Sequence, residues 1–159
     1  MNRDLLEHEL IADEGLKLRV YKDTVGKHTI GVGRNLDRVG GGLSEAEQKA
    51  LHLTTQQLIN GHSITQPQAL LLLDNDIDEA VRQALREFPW WSRLSDPRQR
   101  ALVNMVFNMG MHTLLTFTQT LAYLKAGEFA LAAVNLAKSK WASQVGARSQ
   151  RICDMIRVG

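Results

Sequence analysis

The sequence predicts an α+β fold, mostly helical, in which a small β-hairpin-containing lobe and a larger helical lobe are joined by a long helix. Three observations carry this prediction. Residues 15–43 lose helical periodicity and are dense in glycine (Gly15, Gly26, Gly31, Gly33, Gly40, Gly41, Gly42), which favours tight turns and short strands over a helix. Residues 66–88 keep an apolar stripe at helical spacing, roughly 30 Å of helix at about 1.5 Å per residue, long enough to connect two lobes. Beyond about residue 43 no strand-like segment is evident.

The chain has 159 residues, 44% hydrophobic and 23% charged, the make-up of one globular domain with a real core. The division expected is 15–64 for the small lobe, 65–88 for the connecting helix and 89–159 for the helical lobe, within a single domain 1–159. The lone cysteine, Cys153, makes no internal disulfide and is expected to be a packed helix residue.

In order, Asn2 can cap a first helix over 2–14, whose apolar positions Leu6, Leu10 and Ile11 share a face and whose end is marked by Gly15. Two extended segments, 18–21 and 27–32, flank Asp23-Thr24-Val25-Gly26, a turn composition, so a hairpin is expected. Ser44-Glu45-Ala46-Glu47 has the capping-box form and starts a helix running toward Asn60-Gly61, with a break near Thr54-Thr55. Thr65-Gln66-Pro67-Gln68 opens the long helix in the same way, with Leu73, Ile77, Val81, Leu85 and Phe88 as its stripe and Pro89 as its stop. Pro97 marks the next start, and the nearly continuous apolar run from Ala101 to Met109 places that helix centrally in its lobe. Further helices are expected around Phe117, Leu121 and Leu124, over 129–141, and over 148–157. Trp90, Trp91 and Trp141 are read first as core aromatics and only second as sugar-stacking platforms.

Within the hairpin region two carboxylates and a hydroxyl recur: Glu14 in the last turn of the first helix, Asp23 in the turn, and Thr29 on the returning strand. A carboxyl at a helix C-terminus faces the negative end of the macrodipole, which disfavours its anion, whereas a turn carboxylate stays hydrated and ionised. Divergent environments suit an acid and a base, the requirement of glycoside hydrolysis. Taken singly, a Glu before Gly or an Asp in a turn is more often a solvated helix end or a turn former.

The blocks Glu14-Gly15-Leu16, Tyr21-Lys22-Asp23-Thr24, Thr29-Ile30-Gly31, Asn104-Met105-Val106-Phe107 with Met109-Gly110, and AAVNLAKSKW from Ala132 to Trp141 together resemble the T-even-phage-type lysozymes, endolysins that cut peptidoglycan. The resemblance runs along nearly the whole chain. It implies a lysozyme-like fold with the substrate cleft between two lobes and the first helix returning to the helical lobe. It also implies hydrolysis of the β-1,4 bond between N-acetylmuramic acid and N-acetylglucosamine, with Glu14 as general acid, Asp23 as second carboxylate and Thr29 placing the attacking water. Phe107, Asn108, Asn135 and Lys140 are implied as substrate-binding residues. Asn108 and Lys140 stand where Gln and Arg are more familiar, keeping the chemistry but losing reach and bidentate geometry. Arg148 matches an arginine that reaches the catalytic Glu. Arg34 replaces the family's usual His, with Asp76 as its matched acidic partner, and an arginine pair does not titrate near neutral pH.

A water-placing hydroxyl beside Asp23 points to inversion. Water attack calls for carboxyls roughly 6.5 to 9.5 Å apart, direct attack by Asp23 for roughly 5 to 5.5 Å. A lytic transglycosylase, which would cut the same bond without water, and a catalytically silent wall-binding module are the alternatives.

The five histidines and Cys153 show no metal-ligand spacing, so neither metal nor cofactor is expected. Gly31-Val32-Gly33 completes no phosphate-loop pattern. From residue 138 onward five basic residues (Lys138, Lys140, Arg148, Arg151, Arg157) face one acid, Asp154. The excess suits an anionic wall polymer, with no nucleic-acid motif beside it. The first residues have no apolar signal region and no run is long enough to span a bilayer. The expectation is therefore a monomer with no stable membrane insertion. It would be made in the host cytoplasm without a signal peptide and reach peptidoglycan through a separate pore protein or cell breakage.

Overall fold

The structure, a computed structural model, describes residues 1–37 and 42–159. Gly40 and Gly41 of the glycine-rich segment lie outside the described residues. The described residues form an α+β fold, mostly helical, with one three-stranded antiparallel sheet. They divide into two compact units, one of residues 7–76 and one of residues 1–6 with 77–159.

Helix α1 (Arg3–Glu14) is capped by Asn2, whose Oδ1 accepts from the Leu5 N–H at 3.0 Å. It closes where Gly15 takes φ +73° and donates to the Ile11 carbonyl at 2.9 Å, the left-handed ending that glycine permits without a Cβ penalty.

In the unit of residues 7–76, β1 (Lys17–Lys22) and β2 (His28–Gly31) form the hairpin, and β3 (Arg34–Asn35) extends it. The β1–β2 register pairs Tyr21 with Thr29 and Lys22 with His28, and it shifts between Lys17 and Tyr21. Helices α2 (Glu45–Leu51) and α3 (Thr55–Ile59) follow, each opened by a full capping box, from Ser44 with Glu47 and from Thr54 with Gln57. The break expected near Thr54-Thr55 is present: α2 ends at Leu51, His52 adopts the left-handed conformation, and Thr54 caps the new helix. The core of this unit gathers Ile30, Leu36, Leu43, Leu51, Leu58, Ile64, Ala69 and Leu72.

Helix α4 (Gln66–Glu87) is the long helix, and its N-terminus carries reciprocal bonds between Thr65 and Gln68. Its buried positions are Ala69, Leu72, Leu73, Ile77, Ala80 and Ala84, with buried Phe88 just past its end, while Leu85 is 49% exposed. This corrects the expected stripe. Steps of four residues advance by about 400°, so the series from Leu73 through Val81 drifts about 40° per step off the core and leaves Leu85 outside. The core instead follows alternating steps of three and four through two alanines too weakly apolar to mark it.

In the other unit, Trp91–Arg93 forms a 3-10 turn before α5 (Asp96–Met109), which is buried continuously from Gln99 to Val106. A short α6 (Met111–Leu114) and α7 (Thr118–Ala126) follow. The single helix expected over 129–141 is two, α8 (Phe129–Ala137) and α9 (Lys140–Val145). The break falls at Ser139, whose side chain accepts from the Ala142 N–H at 3.1 Å and so starts a new helix. Helix α10 (Ala147–Val158) packs on α8 and α5. Trp90, Trp91 and Trp141 are 8%, 7% and 8% exposed, core residues as first read. Cys153 on α10 is half-buried, and burial raises its thiol pKa.

Candidate active site

Glu14, Asp23 and Thr29 all belong to the unit of residues 7–76. Glu14 is the last residue of α1, and its side chain lies against the backbone of Gly33. A Cβ built on Gly33 would sit 3.4 Å from both Cγ and Oε2 of Glu14. Gly33 has φ +71°, so the turn between β2 and β3 needs glycine for its backbone, and a side chain there would come into contact with the Glu14 carboxyl.

Asp23 follows the last residue of β1 and organises the turn. Its N–H donates to the Lys27 carbonyl at 2.9 Å, and its Oδ1 accepts from the N–H groups of Val25 and Lys27 at 2.9 and 2.8 Å. This is the Asx-type reason an aspartate suits a turn. Here it also fixes the carboxylate plane, leaving Oδ2 with no hydrogen-bond partner among the described residues. Thr29, 3% exposed, stands opposite Tyr21. Paired residues share a face, so Tyr21 and Thr29 project to one side of the hairpin, with Asp23 in the turn that follows β1. The Thr29 hydroxyl donates to the Lys27 carbonyl at 3.2 Å, which leaves its oxygen to accept. Burial raises the pKa of the Tyr21 phenol, and the charges of Glu14 and Asp23 raise it further, so both carboxylates act on the same ring.

Behind this face lies a buried ionic cluster. Arg34, 4% exposed, donates from Nε to Asp76 at 2.7 Å and through both terminal nitrogens to Glu47 at 2.8 and 3.2 Å. The carbonyls of Gly42 and Leu72 take further bonds, and the Asn75 amide donates to Glu47. Burial alone would lower the Arg34 pKa, but the two carboxylates outweigh it and raise the value. Burial likewise pushes the Glu47 carboxyl up, and the Arg34 guanidinium, the Asn75 amide and the Ser44 N–H overcome that and hold it at about 2. Glu47 was legible only as a capping-box residue; no sequence signal marked its second role.

The other candidate residues belong to the second unit. Asn108, exposed at the end of α5, accepts at Oδ1 from the Trp141 indole N–H at 2.8 Å. Asn135 on α8 accepts at Oδ1 from the buried Thr120 hydroxyl at 2.7 Å. Each amide is thereby oriented through its oxygen, which directs its two N–H donors away from that bond. Trp141 and Thr120 are thus orienting groups that the spacing of residues did not reveal. Phe107 is half-buried, and Lys140 is exposed as the first residue of α9. Arg148, 9% exposed, donates to the side chain of Asn104 at 2.9 Å. Among the described residues no group of three or more His, Cys, Asp or Glu side chains is placed to hold a metal, and no helix is long and apolar enough to cross a membrane.

The profile of the family described as Phage lysozyme matches residues 12–153 of this chain. Two relatives from Dictyostelium discoideum, Probable T4-type lysozyme 1 and Probable T4-type lysozyme 2, are 32% and 29% identical over 164 aligned residues, covering 99% of this chain and 94% of each relative. The Pre-baseplate central spike protein Gp5 of Enterobacteria phage T4 is 31% identical over 152 residues, or 92% of this chain but 26% of that protein.

Proposed function

The chain belongs to the phage lysozyme family and is a glycoside hydrolase of the lysozyme type that acts on peptidoglycan; from that premise we propose that it hydrolyses the β-1,4 bond between N-acetylmuramic acid and N-acetylglucosamine with inversion. Glu14 protonates the leaving oxygen, and Asp23 and Thr29 hold the attacking water. The observation that carries this reading is the state of the two acceptors on the hairpin. Asp23 is pinned through Oδ1 with Oδ2 open, and Thr29 has committed its proton to a carbonyl. A water donating one proton to each of these oxygens turns its lone pair outward, the orientation that nucleophilic attack requires. Phe107, Asn108, Asn135 and Lys140 bind sugar hydroxyls and acetamides, and Arg148 supports the acid. Lysis of a bacterial host is the setting, with a separate pore protein giving access to the wall.

The test is digestion of purified peptidoglycan with identification of the ends and, by proton NMR before mutarotation, of the first anomer. Reducing ends with the α-anomer are expected. Anhydro ends would replace hydrolysis with the transglycosylase reaction, binding without release would leave only a wall-binding module, and an initial β-anomer would refute water attack.

Gly33 gives a second test. Alanine at Gly33 and at Gly26 meets similar backbone strain, with φ +71° and +81°, but nothing lies within 4 Å of a Cβ at Gly26. Both variants should lose about 1 to 2 kcal/mol of stability, while Gly33→Ala alone should lower kcat, by about threefold, because its Cβ touches the Glu14 side chain and limits where the carboxyl can sit. Equal kcat in the two variants would remove Gly33 from the positioning of Glu14.

A further inference from the structure

On the hairpin a cavity of about 350 Å³ is lined by Arg19, Val20, Tyr21, Lys22, His28 and Ile59, all within the unit of residues 7–76. Among the described residues no carboxylate lines it. Strict alternation would send Arg19 and Lys22 to opposite faces of β1, but the register shift between Lys17 and Tyr21 breaks it, so both line one cavity. Both side chains are exposed, and neither has a hydrogen-bond or ion-pair partner among the described residues. Other exposed arginines do find carboxylates, Arg82 with Glu79 at 2.8 Å and Arg86 with Glu87 at 2.9 Å. The third polar group, His28, is held from behind by Asp37, which sits 3.0 Å from Nδ1 and accepts the His28 N–H at 2.8 Å. The backbone bond and then the side-chain bond from His28 lower the Asp37 pKa, which keeps that carboxylate ionised behind the ring.

We propose that Arg19, Lys22 and His28 frame an anion subsite that takes a carboxylate of the peptide stems carried by the glycan, a reading that rests on peptidoglycan being the substrate. Two cations with no partner among the described residues, beside an apolar floor of Val20 and Ile59, match a ligand with a charged end and an alkyl body. A bare phosphate supplies the charge without the alkyl part. Lys22 adjoins Asp23 in the chain but faces away from Thr29, and a stem, covalently tied to the muramic residue whose bond is cut, is the part of the substrate that extends away from the reacting bond. The subsite would favour peptide-bearing glycan strands over stripped ones.

The test compares kcat/KM on peptidoglycan and on the same glycan stripped of its stems by an amidase, for the parent, for Arg19→Gln/Lys22→Gln, and for Lys49→Gln/Lys125→Gln as a control of equal charge change. The parent's preference for peptide-bearing glycan should fall about fivefold in the first variant, the scale of exposed ion pairs, and persist in the control. A ratio unchanged in the first variant, or reduced equally in the control, overturns the subsite. Amide chemical shifts of the parent then identify the ligand. Shifts at Arg19, Lys22 and His28 with muramyl dipeptide, lost in the first variant, support the stem carboxylate; shifts with inorganic phosphate and none with the dipeptide overturn it in favour of a phosphate-bearing polymer. Failure of the parent to cleave either glycan would sink the hydrolase reading, and the dipeptide titration would still decide the subsite.

Discussion

Glu14→Gln is expected to lower glycan hydrolysis by about a thousandfold while leaving folding and wall binding close to those of the parent. The amide is nearly isosteric and fits the same space against Gly33, but it has no acidic proton for the leaving oxygen. General acid catalysis contributes on the order of 10² to 10⁴ in rate. The loss should fall on kcat rather than KM, because the missing interaction exists only in the transition state. Reducing-end release against purified wall, a sedimentation assay of wall binding and a thermal unfolding curve together separate the cases. Activity within tenfold of the parent would remove Glu14 from the role of acid. Lost wall binding or a lowered unfolding temperature would make it structural.

What the sequence displayed of this arrangement depended on whether a residue's role is local. The hairpin was legible because Asp23 and Gly26 satisfy turn backbone within four residues, and the helix starts at Ser44 and Thr65 were legible because a capping box is written over four positions. The break at Ser139 was hidden because a serine inside an apolar run reads as tolerated until its side chain is seen to cap Ala142. The stripe on α4 was misphased because alanines at 80 and 84 carry little hydrophobic signal, although they are buried. Groups that act across long separations left no trace at all. Glu47 meets Arg34 over 13 residues and Trp141 meets Asn108 over 33, and no period or motif links such pairs. The pairing of Arg34 with Asp76, 42 residues apart, was visible only through resemblance to the family.

The buried cluster gives the largest expected effect on stability. Arg34→Met should destabilise the protein by about 3 to 5 kcal/mol at neutral pH, because it removes the guanidinium from buried Glu47 and partly buried Asp76. For a chain of this length that is about 10 °C in Tm. Acid should act through the same group. Glu47 is held at about 2, against an ordinary value of 4.5. Its folded pKa is depressed, so the stability it contributes is fully present above the ordinary value and is lost as pH falls through the folded one. Urea unfolding of the parent should therefore show stability declining between about pH 4.5 and pH 2. Glu47→Gln should start lower at pH 7, since Arg34 keeps only Asp76 as an anionic partner, and should fall less steeply through that window because one linked carboxylate is gone. Arg34→Met should also flatten, since the guanidinium that held Glu47 down is absent. A slope in Glu47→Gln equal to that of the parent would show that acid enters the fold elsewhere, and a loss below about 1 kcal/mol in Arg34→Met would mean that the cluster is solvated rather than buried.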